Sequence, residues 1–208
     1  MVELRHRFLR WNEIREQAEK FRRKYVLPLD RTPVPIIDIV ELELVLKVNP
    51  IPNLILKIDI DGFLSKDLRT IHIDHDIYMD PRHENRLRFT FAHEVGHLIL
   101  HREEIGRCDY RTEEEWINFR EDMSEEELFW FEQQAYEFAG RLLVPREILI
   151  GELESLRDKI DLYRSDSEDA DEELLIQSVA RMMCDKFRVS AQVIAKRIRH
   201  ENIWSQFK

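Results

Sequence analysis

The chain has 208 residues and a formal net charge of −10, which weighs against a general nucleic-acid-binding surface. A composition 43% hydrophobic and 36% charged indicates a globular soluble protein. No apolar run approaches the roughly 20 residues that a membrane-crossing helix needs, and Met1-Val2-Glu3-Leu4-Arg5-His6-Arg7 is not followed by a signal-like apolar core. A cytoplasmic protein is expected, with one domain and an appendage or two small domains. The two cysteines, Cys108 and Cys184, stand far apart and outside any C-x-x-C pattern, so neither a disulfide framework nor a zinc knuckle is indicated.

Residues 11–25 read as an amphipathic helix, with Trp11, Ile14, Ala18, Phe21 and Tyr25 on one face. Leu27-Pro28 and Thr32-Pro33-Val34-Pro35 end it, and a second helix is expected over about 36–44, opening after Pro35. The period then changes to two. Val45 to Val48, Leu54 to Ile60 and Thr70 to Ile73 are rich in β-branched and apolar residues and read as strands. Asp61-Gly62 is a turn signal between two of them. In Ile71-His72-Ile73-Asp74 the isoleucines alternate with His72 and Asp74, so His72 is expected on a solvated edge. Residues 70 to 78 become a candidate shelf on which an extended peptide adds as a further strand.

Next comes His93-Glu94-Val95-Gly96-His97. Arg88-Phe89-Thr90-Phe91-Ala92 leads in, Leu98-Ile99-Leu100 follows, no proline intervenes, and Phe91, Val95, Leu98 and Ile99 recur at helical spacing. On a helix, His93 and His97 lie one turn apart on one face and both imidazoles can reach a single metal. Glu94 then sits beside the open coordination position, where a carboxylate can take a proton from water and pass it to a leaving amine. Gly96 is costly inside a helix, by about 1 kcal/mol relative to alanine, which suggests close packing at that point. The bland reading of the same residues is a buried helix carrying two satisfied histidines.

A catalytic zinc usually takes three protein ligands, so a third is sought downstream. Residues 113 to 127 carry Glu113, Glu114, Glu115, Glu121, Asp122, Glu125, Glu126 and Glu127 against Arg120 alone; such a run is usually a solvated loop, and can also recruit a basic partner. Ser124 with Glu127 forms a capping box that opens a helix running to about Val144, where Pro145 stops it. Glu132 falls within the apolar stripe of Leu128, Ala135, Ala139 and Leu142. A lone carboxylate on a buried face is expensive unless compensated; zinc would compensate it, and the alternative is an ion pair with Arg141 or Arg88. A second acidic patch runs from Asp161 to Glu173. Leu174, Leu175, Val179, Met182, Met183 and Phe187 then mark one helix face, Phe187-Arg188-Val189-Ser190 a turn, and Val193, Ile194 and Ile198 a second helix. The pair looks like a helix-turn-helix. One short basic helix is a weak electrostatic footprint on an acidic chain, so a packing role is favoured over direct DNA binding.

The stretch from Arg88 to His101 is similar to the R-F-T-x-A-H-E-x-G-H-x-x-x-H signature of the ImmA/IrrE zinc peptidases. The stretch from Glu132 to Pro145 resembles that family's E-x-x-A-N-x-F-A-x-x-L-L-x-P. The resemblance implies an α+β fold: a zincin-like core with a small curved mixed sheet and the H-E-x-x-H helix over residues 1–160, then a helical, helix-turn-helix-like piece over 171–208. It implies Zn2+ held by His93, His97 and Glu132, with Glu94 as catalytic base. It also implies a zinc-dependent endopeptidase that cleaves a helix-turn-helix repressor and so derepresses genes. Tyr136 departs from the family's asparagine. Tyr136, His101 and Tyr78 are the candidates for orienting a ligand or donating to the oxyanion. The alternative is a regulatory or antitoxin-like binding module with a structural zinc site.

Overall fold

The computed structural model describes residues 8–107, 112, 114–116, 118, 123–165 and 171–207. Cys108 and much of the acidic run from 113 to 122 lie outside them. The architecture is α+β, mostly helical around a small three-stranded mixed sheet. Helix α1 (Trp11–Tyr25) forms where the apolar periodicity places it and buries Ile14, Ala18 and Phe21. Its buried Arg22 donates to the carbonyls of Leu142 and Leu29, tying the helix to the chain far downstream. The second predicted helix is present as α2 (Ile36–Asp38), which widens into a π-turn over Ile39–Glu43.

Strands β1 (Lys47–Ile51), β2 (Gly62–Leu64) and β3 (Thr70–Asp74) stand in the order β1-β3-β2, with β1 parallel and β2 antiparallel to β3. Two expectations are corrected here. The run Leu54 to Ile60 is not a strand: Leu54–Ile58 forms a helix, α3, flanked by Asn53 and Asp59 in the left-handed region at φ 58° and 54°. A continuous apolar run is compatible with either element, and the two flanking residues tolerate the left-handed conformation that brackets a single helical turn. The reversal before β2 therefore falls at Asp59, and Gly62 is the first residue of the strand. A Cβ on Gly62 would stand 2.6 Å from the carbonyl oxygen of His72, so glycine is required by close strand approach rather than by a turn. The second correction concerns β3, which is the central strand. Its two sides are already paired, and residues 70–74 cannot accept a further strand.

Beyond α4 (His75–Met79), helix α5 (Glu84–Leu100) crosses the sheet and packs along α7 (Glu125–Leu143), with α6 (Arg102–Arg107) between them in sequence. The predicted capping box opens α7: Ser124 Oγ accepts from the Glu127 amide at 3.2 Å, and Glu127 accepts from the Ser124 amide at 3.3 Å. Gly96 marks the closest approach of the two helices, since a Cβ there would lie 3.1 Å from the carbonyl oxygen of Ala135 and 3.3 Å from the ring of Phe138. After α8 (Arg146–Ser155) and α9 (Arg157–Ser165) come α10 (Glu172–Met182), the short α11 (Cys184–Phe187), α12 (Ala191–His200) and a 3-10 turn over Trp204–Phe207. Ser190 caps α12 as expected, accepting from the Val193 amide. Helix α12 packs on α7, and one hydrophobic cluster runs from Ile14 to Phe207.

Candidate metal centre

Helix α5 presents His93 and His97 one turn apart, and α7 presents Glu132 opposite them. The Nε2 atoms of the two histidines are 3.0 Å apart, and Glu132 Oε2 lies 3.1 Å from that of His93 and 3.8 Å from that of His97. A tetrahedral metal with bonds of about 2.0–2.1 Å has ligand-to-ligand edges of about 3.3 Å, so the spacing fits one ion. The arginines weighed as ion-pair partners for Glu132 are engaged elsewhere. Arg141 meets Glu137 and Glu201, and Arg88 donates to the carbonyls of Val34 and Arg188. Burial pushes the Glu132 carboxyl up, but hydrogen bonds from His93 and His97 outweigh it and hold the group well below the usual range. Three buried or half-buried donors converging without a cation among them are what a metal ion would satisfy.

The two histidines are backed differently. His97 Nδ1 lies 3.0 Å from Nδ1 of His101, whose Nε2 lies 3.2 Å from Gln134 Oε1. His101 is fully buried and stacks on Phe131 at 4.2 Å. Burial, then the neighbouring His97, lowers its pKa well below the ordinary histidine value, so the ring is neutral. With Nε2 of His97 facing a metal, its Nδ1–H donates to His101 Nδ1, and His101 Nε2–H donates to Gln134; one tautomer assignment satisfies the whole row. His93 Nδ1, by contrast, is buried with no partner among the described residues. Its ring is held by shape instead, edge-on to Tyr136 at 4.6 Å.

Glu94 is buried and lines the same cleft, a cavity of about 400 Å³. Burial and then the repulsion of Glu132 and Asp61 raise its pKa to about 7, against the pull of His93 and of a hydrogen bond from the Leu64 amide. That amide is available because of the register of β2. Asp61 and Ser65 bond to β3 through Asp61 O and the Ser65 amide, both at 2.8 Å. The backbone groups of Gly62 and Leu64 therefore face away from the sheet, toward the cleft that both residues line. Among the described residues no strand pairs with that side of β2. The unpaired strand edge beside the site is thus Gly62–Leu64, not residues 70–78.

Of the three further candidates, the structure brings two to the site. Tyr136 lines the cleft, and burial together with Glu132, Asp61 and Glu94 raises its pKa, keeping the phenol protonated. His101 stands behind His97 rather than in the cleft. Tyr78 is remote: its hydroxyl donates to Glu41 at 3.3 Å and it does not line the cleft. Three participants carried no motif: the Leu64 amide, Phe131 and Gln134. Gln134 left one trace, a polar residue next to the buried stripe of α7.

A buried helix carrying two histidines and a carboxylate, met by a second carboxylate from a neighbouring helix beside an unpaired strand edge, is the arrangement expected of a metallopeptidase site. The family model for the IrrE N-terminal-like domain, Peptidase_M78, matches residues 54–199, and the chain belongs to that family. No curated protein matches the chain. No helix among the described residues is long and apolar enough to cross a membrane.

Proposed function

We propose that the chain is a zinc-dependent endopeptidase that cleaves a helix-turn-helix transcriptional repressor and thereby derepresses genes in the cytoplasm. The observation that carries the hydrolytic reading is the buried Glu94 carboxylate held by the Leu64 amide beside a complete donor triad. His93, His97 and Glu132 would hold the ion, and two imidazoles with one carboxylate suit zinc. When bound, the metal supplies Lewis acidity toward a carbonyl and lowers the pKa of a water. Glu94 accepts that water's proton and returns it to the leaving amine; a carboxylate poised near neutrality serves both transfers. The outward groups of β2 align an extended peptide antiparallel to the strand. The Tyr136 hydroxyl supplies a donor on the cleft wall for the developing oxyanion.

Family membership and charge support the repressor as substrate. A DNA-binding protein is basic, and a chain of net charge −10 with an acidic stretch over 113–127 attracts one. The helix-turn-helix-like piece is read as a brace rather than a DNA reader, because two of its basic residues are spent internally: Arg197 on Glu137 and Glu201, Arg199 on Glu173.

The test compares wild type and Glu94→Gln for bound zinc and for cleavage of the repressor-like protein encoded nearby. Equal zinc with cleavage by wild type alone is expected. A zinc-loaded wild type that forms a stable complex without cutting overturns the peptidase reading in favour of a binding module. Full zinc occupancy in Glu132→Ala removes the third-ligand assignment.

A further inference from the structure

The cleft does not end at Tyr136. Beyond that ring, between α5 and α12, lies a second cavity of about 530 Å³, and Arg86, Phe89 and Tyr136 line both. The two form one groove partitioned by an aromatic pair, Phe89 and Tyr136, at 5.5 Å. Its far wall is Val193 and Lys196 of α12. The charges around it are unevenly matched. Arg86 is neutralised by Asp61 at 2.6 Å, Arg82 by Asp80 at 2.5 Å and Arg197 by Glu137 at 2.6 Å. Lys196 is the exception: its ammonium meets the neutral Gln133 amide at 3.2 Å and lies 5.7 Å over the Tyr136 ring. No carboxylate among the described residues stands within ion-pair distance of it.

We propose that this cavity is a substrate subsite that selects an acidic side chain close to the scissile bond. The methylenes of a glutamate pack on Phe89, Tyr136 and Val193, and its carboxylate takes Lys196 as partner. Tyr136 contacts His93 at 4.6 Å between ring centres, little more than the ~3.3 Å that separates consecutive residues of an extended peptide. Lys196 lies a further 5.7 Å beyond that ring, so the occupant is within about three positions of the bond over the metal site. The subsite rests on the peptidase reading above but is read out separately from it.

The experiment uses a peptide series identical except for Glu, Gln, Leu or Lys at the positions flanking the bond. Binding to metal-loaded Glu94→Gln protein is followed by fluorescence anisotropy, and hydrolysis by wild type is followed alongside. The Glu peptide is expected to bind roughly tenfold more tightly than the Gln peptide, as one charge-assisted hydrogen bond implies. Adding Lys196→Glu should reverse the order of the Glu and Lys peptides, and Lys196→Gln should flatten it; the second variant carries the test if the first folds poorly. Equal binding of the Glu and Lys peptides, or an order unchanged by both variants, overturns the subsite. Hydrolysis without charge preference defeats the subsite and leaves the peptidase standing. Charge-selective binding that Lys196 controls, with no hydrolysis by wild type, sustains the subsite and defeats the peptidase.

Discussion

Glu132 and Glu137 sit five residues apart on the same helix, and their surroundings are opposite. Glu137 is buried and closed on itself: Arg197 at 2.6 Å, Arg141 at 2.7 Å and His200 at 3.0 Å surround it, and Glu201 joins the two arginines. Glu132 faces the imidazoles of His93 and His97, and no arginine or lysine among the described residues pairs with it. One cluster closes its carboxylates on guanidinium groups, the other closes a carboxylate on imidazoles that can share it with a metal ion. Burial alone therefore does not mark a functional carboxylate; what marks it is burial among imidazoles, groups that can also bind a metal, rather than among guanidinium groups.

The largest expected effect follows from that contrast. Glu137→Ala leaves buried Arg197 and Arg141 to share the single carboxylate of Glu201, and should cost about 3 kcal/mol of folding stability while the metal ligands remain in place. Glu132→Ala should cost the metal-free protein less than Glu137→Ala does, because the carboxylate it removes is held by two imidazoles rather than by buried guanidinium groups, yet abolish metal uptake. Chemical denaturation of both metal-free variants, with metal content measured by elemental analysis, decides it. If Glu132→Ala proves the more destabilised of the two, the assignment of roles on α7 is wrong.

The contrast also explains how much was legible beforehand. His93, Glu94, His97 and Glu132 could be read because spacing on helices translates directly into shared faces, and the Ser124 capping box and Gly96 because each is a local chemical signature with a local consequence. Leu54 to Ile60 could not be read correctly, since an unbroken apolar run does not distinguish strand from a turn of helix. The place of β3 in the middle of the sheet is a property of pairing order, which the residues of one strand do not carry. The Leu64 amide has no side-chain signature at all. The closed cluster on α7 joins residues about 60 positions apart in sequence, Glu137 to Arg197 and Arg141 to Glu201, so it emerges only once α12 is docked.

The two histidine ligands supply a finer version of the same comparison. His97 is backed by His101 and Gln134, and His93 by nothing polar on Nδ1 among the described residues. His101→Phe keeps a ring to stack on Phe131 but removes the acceptor. Metal affinity should fall about 10–100-fold, the usual cost of losing such support, equivalent to about 1.4–2.7 kcal/mol. His101→Asn, which offers an oxygen where Nδ1 stood, should recover much of it. Competition with a calibrated chelator gives the affinities, and thermal melts of the metal-free proteins separate positioning from folding. Equal affinity in wild type and the Phe variant would show that His101 does not orient His97.

Next in size is the seam that brings the two helices together. Gly96→Ala adds a methyl 3.1 Å from the Ala135 carbonyl and 3.2 Å from its Cα, and backbone cannot rotate away. Overpacking costs typically 1–3 kcal/mol, and the alanine recovers about 1 kcal/mol of helix propensity. The net should be a loss of about 1 kcal/mol in stability. Metal affinity should fall as well, because widening the α5–α7 seam draws His93 and His97 from Glu132. A variant as stable and as tightly metal-binding as wild type would place the seam elsewhere.

The smallest effect is one of pH, and it concerns the closed cluster alone. Burial would raise the Glu137 pKa, but Arg197, Arg141 and His200 outweigh it and hold the group below the ordinary value of 4.5. A carboxylate depressed in the folded state binds fewer protons than in the unfolded chain, so its stabilisation is complete above pH 4.5 and is lost as pH falls through the folded value. The stability gap between wild type and Glu137→Gln should therefore be flat from neutral pH down to about 5 and narrow below 4.5. Denaturant midpoints across that range measure it. A gap that stays constant to pH 3 would mean that Glu137 holds its arginines by shape rather than by charge, and the distinction drawn between the two ends of α7 would fail at its better-defined end.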